Sequence, residues 1–225
     1  MTFRGILLDI EGTTTPVAFV YDVLFSFARA HVHEHLAGED VGLLRREYDE
    51  DVRKGLGPPS WSDPPLAYVY WLMDQDRKST GLKTLQGKIW LEGYTRGELH
   101  GEVFPDVPPA LARWRVQGLD VRIFSSGSIL AQRLLFSTTP AGDLTVFLNG
   151  YFDTTTGPKH DPSSYAHIAN EFGLNPGGIL FVSDVTRELD AAQQAGMGTA
   201  LCVRPGNHPQ PPHSHRTISS FDELG

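Results

Sequence analysis

Phe3-Arg4-Gly5-Ile6-Leu7-Leu8-Asp9-Ile10-Glu11-Gly12-Thr13-Thr14 decides the fold. Its first half is a short apolar run, as expected of a strand buried on both faces of a parallel sheet, and it breaks into an acidic, Gly/Thr-rich turn. Three later stretches have the same form. Residues 119–124 run into Ser125-Ser126-Gly127-Ser128, residues 178–182 into Ser183-Asp184, and residues 199–203 into Arg204-Pro205-Gly206-Asn207. Residues 144–152 carry a weaker strand signal. Helical spacing or helix signals mark residues 106–117, 129–136, 161–172 (opened by Asp161-Pro162 and stopped by Gly173) and 187–195. Strands alternating with helices predict an α/β fold on a doubly wound parallel sheet. In such sheets ligands bind beyond the carboxyl ends of the strands, and Asp9, Ser125 and Asp184 all fall there.

Between the first strand and Phe104 the pattern becomes helical, with no strand. Residues 22–36 place Val23, Leu24, Phe27, Ala28, Val32 and Leu36 on one face, and residues 66–73 and 82–94 follow, the Gly/Pro/Ser-rich residues 55–65 forming a loop. The expected organisation is a core of residues 1–16 and 103–225 with an all-helical cap, residues 17–102, inserted after the first strand. The proline-rich residues 205–212 read as irregular.

Hydrophobic residues make up 40% of the chain and charged residues 20%, ordinary for a globular protein. The net charge of -8 argues against nucleic acid and anionic membranes as partners, since both need a basic face. A phosphorylated small molecule stays compatible, because a bound cation and a few donors make a locally positive pocket. Cys202 is the single cysteine, so no intrachain disulfide is possible, and its apolar neighbours place it in a strand core. Asp9 and Glu11 interrupt the only early apolar run, so no signal peptide is expected, and no run is long enough to span a bilayer. The expectation is a cytoplasmic protein and, with no extended apolar stripe left over, a monomer.

Four elements carry chemistry. Asp9 can serve as a nucleophile and Glu11, two residues on, as a general acid and base, with Gly12 permitting the turn. Ser125-Ser126-Gly127-Ser128, at a helix start, offers hydroxyls and free N–H groups to an anion. Lys159 can neutralise phosphate charge. Asp184 can ligate Mg2+, and Glu188 can hold a metal-bound water or orient Lys159. Each also has an ordinary explanation: turn former, N-cap, surface lysine, helix cap.

Their order and placement resemble the haloacid dehalogenase superfamily over the full chain. That superfamily usually has aspartate two residues after the nucleophile, where Glu11 stands here. The stretches Asp9 to Thr14, Tyr21-Asp22-Val23-Leu24-Phe25, Leu85-Gln86-Gly87-Lys88-Ile89-Trp90, Ser125 to Ser128, Ser183 to Glu188 and Val203 to Asn207 are similar to the enolase-phosphatase E1 family of methionine salvage. The resemblance implies a substrate, 2,3-diketo-5-methylthiopentyl-1-phosphate, that is enolised and then dephosphorylated to the acireductone (1,2-dihydroxy-3-keto-5-methylthiopentene). It implies Mg2+ held by Asp9, Asp184 and the backbone carbonyl of Glu11. Asp9 would attack phosphorus to give an aspartyl-phosphate, Glu11 would act as acid and base, and Ser125, Ser126 and Lys159 would hold the phosphate oxygens. The base for enolisation is not identified by sequence. Residues 86–90 are candidates to line the substrate cavity, with Trp90 as plain cap core the bland reading.

Other readings stay open. The chain can be another Mg-dependent phosphatase of the superfamily acting on a small sugar phosphate or nucleotide, a metal-independent dehalogenase, or a non-catalytic module that kept the fold. The intact set of Asp9, Glu11, Ser125, Lys159 and Asp184 argues against the last. His31 and His35 have the spacing of some zinc ligands, but no glutamate completes the HExxH order and no third ligand is evident, which favours a solvated helix face.

Overall fold

In chain order the elements are β1 (Gly5–Leu8), a π-helical turn (Phe19–Phe25), α1 (Ser26–Leu36), α2 (Gly42–Arg53), α3 (Leu66–Asp74), α4 (Thr80–Thr95), α5 (Val107–Val116), β2 (Asp120–Phe124), α6 (Ile129–Ser137), β3 (Gly150–Phe152), α7 (Pro162–Phe172), β4 (Ile179–Ser183), α8 (Thr186–Gln194), β5 (Gly198–Cys202) and β6 (Arg216–Ile218). The computed structural model describes residues 3–36, 41–77 and 79–224; residues 1–2, 37–40, 78 and 225 of the expected core and cap lie outside the described residues. The chain divides into two compact units, Met1–Val20 with His100–Gly225, and Tyr21–Leu99.

The first unit is a six-stranded sheet in the order β3-β2-β1-β4-β5-β6, every pair parallel. From β1 the chain builds outward through β2 and β3, then returns to the other side of β1 with β4. The topological switch point therefore lies between β1 and β4. Side chains alternate between the faces. Leu7, Phe124, Phe181 and Leu201 gather with Tyr165, Ile168 and Phe172 of α7 and Leu189 and Ala192 of α8. The intervening Ile6, Leu8, Ile123 and Val182 are equally buried. Coverage on both faces is why these strands read as unbroken apolar runs.

Two local expectations change. Residues 144–152 do not form one strand: Asp143 Oδ1 accepts from Thr145 N at 2.9 Å, a 3-10 turn follows, and only three residues pair as β3. A sixth strand, β6, closes the far edge. At three residues it is too short to show a period.

The second unit has helices and no strand among the described residues. The helix expected at residues 22–36 starts as a π-helical turn and becomes α only at Ser26. α2 has no counterpart in the sequence reading because it is crowded with charge, yet that charge is structural. Glu47 accepts from Ser79 Oγ at 2.5 Å and from the N–H groups of Thr80 and Gly81 at the start of α4. Buried Asp51 accepts from Tyr68 OH and Arg77. Trp90 packs inside this unit: its Nε1 donates to Leu24 O at 2.8 Å and its ring stacks on Phe25. Nδ1 of His31 and of His35 each faces the carbonyl one turn back, and His35 Nε2 lies 2.8 Å from Glu92. Among the described residues no helix is long and apolar enough to cross a membrane.

Candidate active site

Parallel register assembles the site. Leu8 lies beside Ile123 of β2 and Val182 of β4, so the next residues out, Asp9, Phe124 and Ser183, share one rim. Ser125 and Asp184 come one step later on the flanking strands. The ladder continues into the rim: Asp9 N donates to Val182 O at 3.0 Å and Ser125 N to Phe152 O at 3.2 Å.

Beyond Asp9 the chain turns at once. The N–H groups of Thr13, Thr14 and Thr15 converge on Ile10 O, Gly12 N donates to Thr15 O at 2.8 Å, and Thr14 Oγ1 donates to Asp9 O. Gly12 has φ +68°, and a Cβ there would stand 2.4 Å from Asp184 Oδ2. Only glycine lets the turn pass that carboxylate. Glu11 is half-buried on this turn.

Lys159 enters from the loop before α7. Its Nζ lies 2.6 Å from Asp9 Oδ1 and 2.5 Å from Glu188 Oε2. The first turns of α7 fix its backbone, Ser164 Oγ donating to Pro158 O and Tyr165 OH to Lys159 O at 2.7 Å. Fully buried Ser183 completes the cluster, its Oγ 3.1 Å from Glu188 Oε2 and 3.5 Å from Asp9 Oδ2. Burial works to lower the pKa of Lys159, but Asp9 and Glu188 outweigh it and hold the ammonium above its usual range. Burial pushes Glu188 upward against the pull of Lys159. Asp184 is pushed up to about 7, by burial first and then by the charges of Asp9 and Glu188. One ammonium faces three carboxylates, an excess of buried negative charge that a cation would relieve.

Two neighbouring loops are secured by glutamines. Gln132, buried on α6, donates to Gly127 O and Phe152 O, both at 2.8 Å, and so holds the serine loop. Within that loop Ser125 Oγ accepts from Gly127 N at 3.1 Å, Ser128 caps α6, and Ser126 is exposed. Gln210 Oε1 accepts from Thr186 N and Oγ1, capping α8 from the proline-rich tail and sparing Asp184 that task. The tail is irregular, as expected, but anchored.

Donor chemistry fits Mg2+. Asp9 and Asp184 offer hard carboxylate oxygens at the rim, and Asn207 Oδ1, beside Gly12 and Asp184, is buried with no hydrogen-bond partner among the described residues. Among the described residues no group of three or more His, Cys, Asp or Glu side chains could itself hold a metal. A sparse set suits an ion that keeps several waters.

The structure thus joins Asp9 and Lys159 directly, couples Asp184 to both electrostatically, and sets Ser125, Ser126 and Glu11 on the adjoining loops. Gln132 and Gln210 were not singled out by sequence; Ser183 and Asn207 fall in stretches that carry the family resemblance but were given no role of their own, and the usable signal was that all four lie at or soon after a strand's carboxyl end.

Fold and site define a hydrolase of the doubly wound α/β class. The family model of haloacid dehalogenase-like hydrolases matches residues 3–196. Enolase-phosphatase E1 of Synechococcus elongatus is 51% identical, covering 100% of this chain and 98% of that protein. A protein of Oryza sativa named as a probable bifunctional methylthioribulose-1-phosphate dehydratase/enolase-phosphatase E1 is 45% identical over 97% of this chain and 46% of its own length. Among solved structures, the UTR4 protein of Saccharomyces cerevisiae superposes with a TM-score of 0.81 at 32% identity, covering 98% of this chain and 99% of that one. The chain belongs to the haloacid dehalogenase-like hydrolases and, within them, to the enolase-phosphatase E1 family.

Proposed function

We propose that this chain is the Mg2+-dependent enolase-phosphatase of methionine salvage, converting 2,3-diketo-5-methylthiopentyl-1-phosphate to the acireductone and phosphate. Family membership supports the reaction, and the observation that carries the chemistry is the buried contact between Lys159 Nζ and Asp9 Oδ1 at 2.6 Å. A lysine held protonated beside a carboxylate is placed to receive a phosphoryl group bound between them. The rice relative, in which a methylthioribulose-1-phosphate dehydratase is joined to the same activity, fits a phosphorylated small-molecule substrate.

Asp9, Asp184 and the Glu11 carbonyl would hold the cation. Bound Mg2+ supplies a Lewis acid that screens carboxylate from phosphate and polarises the diketone. Lys159, Ser125 and Ser126 bind the non-bridging phosphate oxygens. Asp9 attacks phosphorus in line; Glu11 protonates the departing enol oxygen, then takes a proton from the water that cleaves the aspartyl-phosphate. Glu188 and Ser183 keep the lysine and nucleophile aligned. The inserted helical segment, residues 17–102 in the sequence reading, serves as the cap that selects the substrate, and the enzyme works as a cytoplasmic monomer.

The test follows enol absorbance and phosphate release together in wild type and Asp9→Asn. Phosphate release should fall by about a thousandfold or more. Release at near the wild-type rate would refute Asp9 as nucleophile, and a faster turnover of sugar phosphates or nucleotides than of the diketone would refute the substrate.

A further inference from the structure

Arg204-Pro205-Gly206-Asn207 follows β5, on the same edge of the sheet as the site, and the reaction steps above use none of its side chains, Asn207 Oδ1 entering only as an oxygen near Asp184. Asn207 N donates to Arg204 O at 3.2 Å, with Pro205 second and Gly206 third at φ +88°. That is the pattern of a type II turn, and it presents its first and last side chains together. Both reach the turn after the nucleophile. Asn207 Nδ2 donates to Gly12 O at 2.9 Å and to Cys202 O at 3.2 Å. Arg204 Nε donates to Thr13 O at 3.3 Å. Phe104 N donates to the next carbonyl, Thr14 O, at 2.9 Å. Three successive carbonyls of the turn are thus held from outside it.

Arg204 is itself immobilised. It is 7% exposed, pairs with Asp106 at 2.8 Å, donates to Ser219 O, and lies over the rings of Phe104 and Phe221. Asn207 is held more lightly among the described residues: beyond Gly12 its Nδ2 donates to Cys202 O, and its Oδ1 lies against Gly12 on the side of Asp184. Of the two donors, Asn207 is the one whose loss would loosen the turn without dismantling the core.

We propose that Asn207 is a positioning residue: by holding Gly12 O it fixes the turn that aims Glu11 at the leaving oxygen and at the hydrolytic water. The assignment rests on Glu11 as acid and base. Asn207→Ala should lower kcat by about 10- to 100-fold, the usual effect of removing an outer support, while KM for the diketone phosphate moves by less than about threefold. Asn207→Asp keeps the shape and the oxygen but cannot donate, and should lose activity to the same order. In both, amide hydrogen exchange at residues 13–15 should accelerate while β1 and β4 stay protected. Wild-type activity in either folded variant overturns the proposal, as does a loss confined to KM. Should neither variant fold, exchange in the wild type decides: amides at residues 13–15 exchanging as fast as those of loop 55–65 would mean no clamp exists. Glu11→Gln measured alongside keeps the two ideas apart, since undiminished turnover there refutes the acid/base reading whatever Asn207 does.

Discussion

Gly12 shows how much a single residue can decide. Its backbone is left-handed, and a methyl group there would press on Asp184 Oδ2 and Asn207 Oδ1 together. Gly12→Ala should cost roughly 1–3 kcal/mol of backbone strain. Displacing the turn by about 1 Å should also cost on the order of a hundredfold in turnover. Thermal melting and steady-state phosphate release check the two effects; a variant as active as wild type would show that the turn has room to move. Residues of this kind were legible in part. Asp9, Gly12 and Asp184 stand out because each sits where an apolar run stops. Lys159 does not: nothing in Thr156-Gly157-Pro158-Lys159 announces a side chain buried between two acids. Only its order among the other elements pointed to it.

Elements tell a similar story about capping. Asp106 occupies the N-cap position of α5, where its side chain makes no cap bond. Its Oδ2 accepts instead from Arg204 Nη2 at 2.8 Å, Phe221 N at 2.6 Å and Ser220 Oγ at 3.2 Å, tying α5 to the segments after β5 and β6. Burial alone would raise its pKa, but Arg204 and the Phe221 N–H outweigh it and hold the carboxyl below its usual 3.8. A carboxyl lowered in the folded state lends stability that is present above 3.8 and fades as pH falls through the lowered value. Asp106→Asn should therefore melt below wild type at neutral pH, with the gap closing in acid. Melting temperatures across that range check this, and a gap constant with pH would discount the ion pair. Sequence reading missed α2 for a related reason: seven charges, Arg45, Arg46, Glu47, Asp49, Glu50, Asp51 and Arg53, hide its apolar edge, although Glu47 and Asp51 turn inward.

For the whole molecule, the doubly wound sheet was readable because both faces are covered and the strands stay apolar, whereas β6 and the divided β3 region depend on edge pairing that no local pattern encodes. A chain of net charge -8 that also buries carboxylates at its rim gains from a cation. With Asp184 raised to about 7, the metal-free protein loses stability as pH climbs from 3.8 through that value, since the folded state holds the proton more tightly than the unfolded one. With Asp184 as a ligand, as proposed, Mg2+ would compete with that proton. It should raise the melting temperature, by an amount equivalent to about 2.7 kcal/mol at a hundred times its Kd. The shift should be larger at about pH 8 than at about pH 6, and EDTA should reverse it. A shift equal at both pH values would remove Asp184 from the cation's ligands.

The clamp on the nucleophile's turn also bears on the order in which this protein is built. Its bonds join residues 195 and 191 positions apart, spanning most of the polypeptide. Closing loops of that length is entropically slow and gains nothing until the intervening strands are in place. The turn after the nucleophile is therefore completed only when residues far along the chain reach it. On refolding, helix content should return before turnover does.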